Sequence, residues 1–145
     1  MYQITSLSKF DQSITVPERE RMLGQLEEFN VEKNISGCGI VYDTNFLQIV
    51  EGAKKILQEY LDKITELGLF SDERIIWEGK ANRPSFASWH TIYRDKRETG
   101  SNYTEFLKNM RIISSLMESS TACVDLFWSK VRSIFSVQNL ELINK

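Results

Sequence analysis

The sequence predicts an α+β sandwich, and three stretches carry that prediction. Thr15-Val16-Pro17-Glu18 is a capping box with proline near the first helical position, and Met22, Leu23, Leu26 and Phe29 follow it at helical spacing. Ala53, Ile56, Leu57, Tyr60, Leu61, Ile64 and Leu67 hold one face of a second helix, which Gly68 stops. Between the two helices, Ile35 to Gly52 reads as a pair of adjacent strands. With shorter strands before and after, the order is βαββαββ. Two helices crossing onto one face of a mixed sheet then give a ferredoxin-like α+β sandwich.

Each element has its own justification. Tyr2 to Ser8 alternates loosely and lacks a run of helix formers, so it is predicted as the first strand, with Ile4, Ser6 and Ser8 on one face. The first helix is predicted over Pro17 to Glu28, ending near Asn30 because Asn30 and Asn34 favour turns. Ser36 to Tyr42 makes the second strand, Asp43-Thr44-Asn45 the hairpin connection, and Phe46 to Val50 the third strand. Gly37 and Gly39 weaken a strand unless something approaches it closely, either a helix or a ligand. Glu73 to Glu78 reads as the fourth strand, Asn82-Arg83-Pro84-Ser85 as a loop, and Trp89 to Tyr93 as the last strand.

The sheet's second face is predicted to carry Leu47, Ile49, Val41 and Ile76, and something must cover it. The candidates are two C-terminal helices. Tyr103, Phe106, Leu107, Met110, Ile113 and Met117 mark one, and Val124, Phe127, Val131, Ile134 and Phe135 the other. A polar linker from Arg94 to Asn102 precedes them. The expected division is therefore residues 1–95 as the sandwich and 96–145 as a helical extension packed on the sheet.

Composition narrows the function. In 145 residues, 18 basic and 20 acidic side chains give a net charge of −2, without the basic patch of a nucleic-acid or anionic-membrane binder. The start MYQITSLSK lacks a basic segment followed by an apolar core, so no signal peptide is expected and the cytoplasm is the default location. Cys38 and Cys123 read as buried small hydrophobes in a reducing compartment. One histidine, His90, with no Gly-x-Ser-x-Gly, no metal-ligand spacing and no phosphate-binding glycine loop, argues against a conventional enzyme.

The residue that does point to a site is Gln48. Alternation puts it between Phe46 and Val50 on an apolar face, where an unpaired amide costs about 1 to 3 kcal/mol. A neighbouring chain segment or a ligand must satisfy it. Other polar side chains near strand ends and helix termini are Asn30 and Lys63, with Trp89 on the last strand.

On these residues the chain resembles the BLUF domains, which are flavin-binding blue-light sensors. Phe46-Leu47-Gln48-Ile49-Val50-Glu51-Gly52 is similar to the family's F-L/F-Q-x-L-E-G strand and helix start. Asn30 followed by Ile35-Ser36-Gly37 resembles N-x4-(I/L)-T-G, and Phe86-Ala87-Ser88-Trp89 resembles F-x-x-W. The resemblance spans Tyr2 to about Asp95. It implies FAD between the two helices of the sandwich, with Asn30 at the pyrimidine side of the ring, Gln48 at its O4/N5 edge, and Lys63 at a carbonyl or the ribityl-phosphate end. For each of these a plainer reading stands beside it. Gln48 could bond Ser6 or backbone, Asn30 could be a turn residue, Lys63 a solvated helix residue, and Trp89 core rather than electron donor.

The chain also departs from the family. BLUF photochemistry uses a tyrosine on the first strand, and Ser6 stands at that position. Serine can pair with Gln48, but an aliphatic hydroxyl offers no accessible one-electron oxidation. Thr91 replaces the family's signalling methionine, Phe29 a polar neighbour of the flavin asparagine, and Leu67-Gly68-Leu69-Phe70 its D-x-R-H. The resemblance therefore implies an FAD-binding sensory or regulatory protein with an altered or lost photocycle, signalling to a separate protein or through a homo-oligomer. The alternative is a flavin-free protein-interaction module in which side chains, Phe29 among them, fill the flavin slot.

Overall fold

The computed structural model describes residues 1–93 and 121–143, with the side chains of the last helix given over 122–133. The elements are β1 (Tyr2–Phe10), α1 (Val16–Glu32), β2 (Ser36–Tyr42), β3 (Asn45–Gly52), α2 (Lys54–Leu67), β4 (Phe70–Lys80), β5 (Trp89–Tyr93) and α3 (Thr121–Ile143). The chain divides into two compact units, Met1–Arg97 and Glu98–Lys145.

In the first unit one five-stranded sheet runs in the order β4-β1-β3-β2-β5. All neighbours are antiparallel except β2 and β5, which are parallel. This is the predicted ferredoxin-like βαββαββ arrangement. Thr15 caps the helix as read, with the Glu18 amide donating to its Oγ1 at 3.3 Å. Gly68 ends α2 in the left-handed conformation at φ 66°, a position that favours a residue without Cβ. The two helices bury Leu23, Leu26, Leu57, Tyr60 and Ile64 against Ile4, Phe46, Val50 and Trp89 of the sheet.

Several boundaries differ from the sequence reading. Helix α1 runs on to Glu32, because the turn is made by Asn34 at φ 56° and not at Asn30. Asn30 therefore sits inside the last helical turns and is fully buried. The β2–β3 connection is shorter, with Asp43 at φ 52° and Asn45 already in the strand. Val41 faces the helices and not the far side, since it pairs with Phe46 and joins the same core cluster. The far face is instead built from Cys38, Ile40 and Tyr42 beside Leu47 and Ile49. Ile76 is the extra residue of a bulge, because Thr5 pairs with Trp77 while Ser6 pairs with Ile75.

Both strand glycines are closely approached from within the sheet, Gly37 by the Ile49 backbone and Gly39 by side chains of its neighbours. The Phe46 ring lies across Gly39, and a Cβ there would come within 2.3 Å of it. Cys38 is buried and free, and Cys123 is also free but only partly buried. In the second unit, Val124, Phe127, Trp128 and Val131 form the buried stripe of α3 at helical spacing. The predicted helix around Tyr103 to Met117 lies outside the described residues. No described helix is long and apolar enough to cross a membrane.

Candidate functional site

The sheet register assembles the site. Ser6 on β1, Gln48 on β3, Gly39 on β2 and Thr91 on β5 lie in one cross-strand row. They face the helix layer, so the small residues on either side of Gln48 leave its amide room to reach α2. Both Ser6 and Gln48 are 1% exposed.

Gln48 is engaged by protein at both ends of its amide. Its Nε2 donates to Ser6 Oγ at 3.2 Å, and the Tyr60 hydroxyl donates to its Oε1 at 2.6 Å. The two lengths agree with that orientation, since 2.6 Å is short for a nitrogen donor and ordinary for O–H···O. Burial pushes the Tyr60 phenol well above its usual pKa, with the neighbouring Asn30 and Gln48 amides opposing that rise.

Tyr60 was read from the sequence only as one of the apolar-face positions of α2. Its ring does serve there, tilted against Phe29 at 6.3 Å and against Trp89 at 6.5 Å between centroids. The hydroxyl has a separate role that helical spacing does not reveal.

Asn30 is the second feature. Among the described residues, the buried side-chain atoms without hydrogen-bond partners are Ser8 Oγ, Arg19 Nε and both polar atoms of Asn30. The Asn30 amide is near enough to influence the Tyr60 phenol, yet makes no hydrogen bond of good geometry. Asn30 lines a cavity. That cavity, about 240 Å³, is bounded by Asn30, Asn34, Ser36, Ala87, Ser88 and Trp89 together with Val31 and Ile35. A fully buried amide with four unused hydrogen-bonding positions beside a cavity is the donor set that a cyclic imide or amide edge would satisfy.

The remaining predicted residues are arranged differently. Trp89 is 8% exposed, and its Nε1 donates to Thr91 Oγ1 at 3.1 Å, so this pair shares a face of β5 and is internally satisfied. Lys63 lies partly exposed on α2, and among the described residues no hydrogen bond joins it to the Gln48 cluster.

The opposite face of β3 holds a residue the sequence reading placed but gave no role. Glu51 is completely buried. Its Oε1 accepts from Ser36 Oγ and the Phe86 amide, both at 3.0 Å, and its Oε2 accepts from Gln3 Nε2 and from the Ser85 amide at 2.7 Å. The carboxylate thereby pins the chain just before Ala87 and Ser88, two residues of the cavity wall.

Fold and site together define a ferredoxin-like domain with a buried polar cluster under its helix layer. The chain belongs to the BLUF family, sensors of blue-light using FAD, whose family model matches residues 1–100. No curated protein sequence matches it. Among solved structures it is similar to BlrB, a BLUF protein in its dark state, at TM-score 0.67 and 14% identity, covering 91% of this chain and 95% of that one. The photo-activated state of BlsA gives TM-score 0.69 at 15% identity, covering 90% and 94%. A bacterial light-regulated adenylyl cyclase gives TM-score 0.67 at 17% identity over 79% of this chain, which spans only 33% of the cyclase chain. At these identities the structures show the shared fold.

Proposed function

We propose that this protein is an FAD-binding regulatory member of the BLUF family that lacks the family's tyrosine photocycle. The observation that carries the reading is Asn30, fully buried, with both amide atoms unpaired on the wall of a cavity. An amide left in that condition costs roughly 1 to 3 kcal/mol per unsatisfied group, which a bound ring edge would recover. The residues fit a flavin in kind. Asn30, Gln48 and Lys63 would hold it, and bound flavin would supply blue-light absorption and a redox-active ring. Ser6 fixes the orientation of Gln48 by accepting from its Nε2. As an aliphatic hydroxyl it supplies no electron, so the family's transfer from a β1 tyrosine is absent, and blue light is expected to produce no photocycle of that kind.

Signalling would pass to a separate downstream protein or through self-association. A flavin-free interaction module is the second reading, favoured by the Phe29 and Tyr60 rings packed together and by the Tyr60–Gln48 bond.

The test is an FAD titration followed by flavin fluorescence and gel filtration, on the native protein and on Asn30→Leu. Leucine keeps the volume and removes the unpaired amide. The variant is expected to be more stable to urea by about 1 to 2 kcal/mol and to lose FAD affinity by at least about tenfold. Equal FAD affinity in the two proteins would refute the role given to Asn30.

A further inference from the structure

We infer that Tyr60 is an internal competitor for Gln48, and that it sets how tightly this protein takes flavin. The inference rests on the flavin-binding reading above and adds a residue that opposes it.

The buried positions of α2 are Leu57, Tyr60 and Ile64, the stripe that packs on β1 and β3. A hydroxyl on that stripe is carried into the core with its ring and must find an acceptor there, because a buried hydroxyl without one costs about 1 to 3 kcal/mol. The acceptor it finds is Gln48 Oε1 at 2.6 Å, the shortest and best matched contact the amide makes. Gln48 is then left with one N–H and one lone pair.

The cavity lies beside this bond. Asn30 and Trp89 line it, and both neighbour Tyr60; Gln48 does not line it. The Tyr60 hydroxyl therefore lies between the two amides assigned to flavin, bonded to Gln48 and beside Asn30. At about 240 Å³ the cavity is also below the ~300 to 1,000 Å³ of sites that enclose drug-sized ligands. A three-ring flavin that engages both Asn30 and Gln48 needs the space held by the Tyr60 ring and hydroxyl between them. Its O4/N5 edge accepts, so Gln48 must turn its N–H toward the ring, and the Tyr60 bond that fixes the amide opposes that turn; the tyrosine lowers affinity by the cost of moving it.

The experiment compares FAD dissociation constants for the native protein, Tyr60→Phe and Tyr60→Leu, with circular dichroism and urea melts to establish that each variant is folded. Phenylalanine removes only the hydroxyl, and FAD is expected to bind roughly 2- to 10-fold tighter, the worth of one neutral hydrogen bond. Leucine also removes the ring, and tighter binding again is expected. A second readout needs no flavin chemistry. The hydroxyl proton of Tyr60 should give a slowly exchanging downfield NMR resonance that Tyr60→Phe lacks and that FAD abolishes in the native protein. Native protein that binds FAD with variants that bind it equally or more weakly would overturn the inference and leave the flavin reading standing. Folded variants and native protein that all fail to retain FAD would overturn both.

Discussion

Gly37→Ala is expected to cost about 3 to 5 kcal/mol, a large part of the 5 to 15 kcal/mol that holds a domain of this kind together. Gly37 has φ 139°, a region that side-chain-bearing residues rarely enter. A Cβ at this position would lie 2.0 Å from the Ile49 carbonyl oxygen and 3.0 Å from the carbonyl carbon, both backbone atoms of the adjacent strand. Relief therefore requires β2 and β3 to separate. Gly37 also pairs with Trp89 on the other side, and its amide donates to the Ser88 carbonyl at 3.2 Å, so the disturbance extends into β5. Backbone strain and overpacking each contribute roughly 1 to 3 kcal/mol, and here they add. Gly39→Ala provides the comparison, because the obstacle there is the ring of Phe46 at 2.3 Å, and a side chain can move. Urea denaturation should rank Gly37→Ala as the more damaging. A loss below about 1 kcal/mol for Gly37→Ala would contradict the strand spacing described above.

Glu51→Ala is expected to have a similar effect for an opposite reason, since it removes a group instead of adding one. The carboxylate takes four hydrogen bonds, from Gln3, Ser36 and the Ser85 and Phe86 amides, in a place with no exposure to solvent. Deleting it strands those donors, and even partial access to water leaves a cost of about 3 to 5 kcal/mol. Glu51→Gln should be intermediate, because one carboxylate oxygen becomes a donor that faces two other donors. The damage should also be local. Hydrogen exchange at the Ser85 and Phe86 amides is expected to accelerate in Glu51→Gln, and FAD binding should weaken because the Ala87–Ser88 wall of the cavity is no longer held. Unchanged protection of those two amides would show that Glu51 does not anchor the loop.

The order of elements was legible because both helices declare themselves by capping, spacing and a terminal glycine, and because β5 is bounded by a polar loop. Strand faces were less legible where glycines interrupt the signal. In β2, Gly37 and Gly39 occupy the helix-facing positions and carry no side chain to mark them, so Val41 was assigned to the wrong side. The bulge at Ile76 leaves no trace in a strand that alternates only weakly. Gln48 and Ser6 were recognisable as partners, since a polar residue within an apolar alternation needs one. Tyr60 was not, because an aromatic at helical spacing reads as core, and its hydroxyl acquires meaning only once the residue opposite is known. Glu51 stood in plain view on the far face. Its four donors come from Gln3, Ser36 and the 85–86 stretch, and no local pattern connects those segments.

The unpaired Asn30 amide and the replacement of a redox-active tyrosine by Ser6 lead to one central claim, that this BLUF-family protein takes up flavin without the tyrosine photocycle. Its most direct test is the absorption spectrum of the protein after incubation with FAD and gel filtration, recorded in the dark and then under blue light. The account predicts a retained, vibronically structured flavin band that illumination leaves in place. A band that shifts slightly to the red and recovers in the dark would contradict it, as would a protein that retains no flavin.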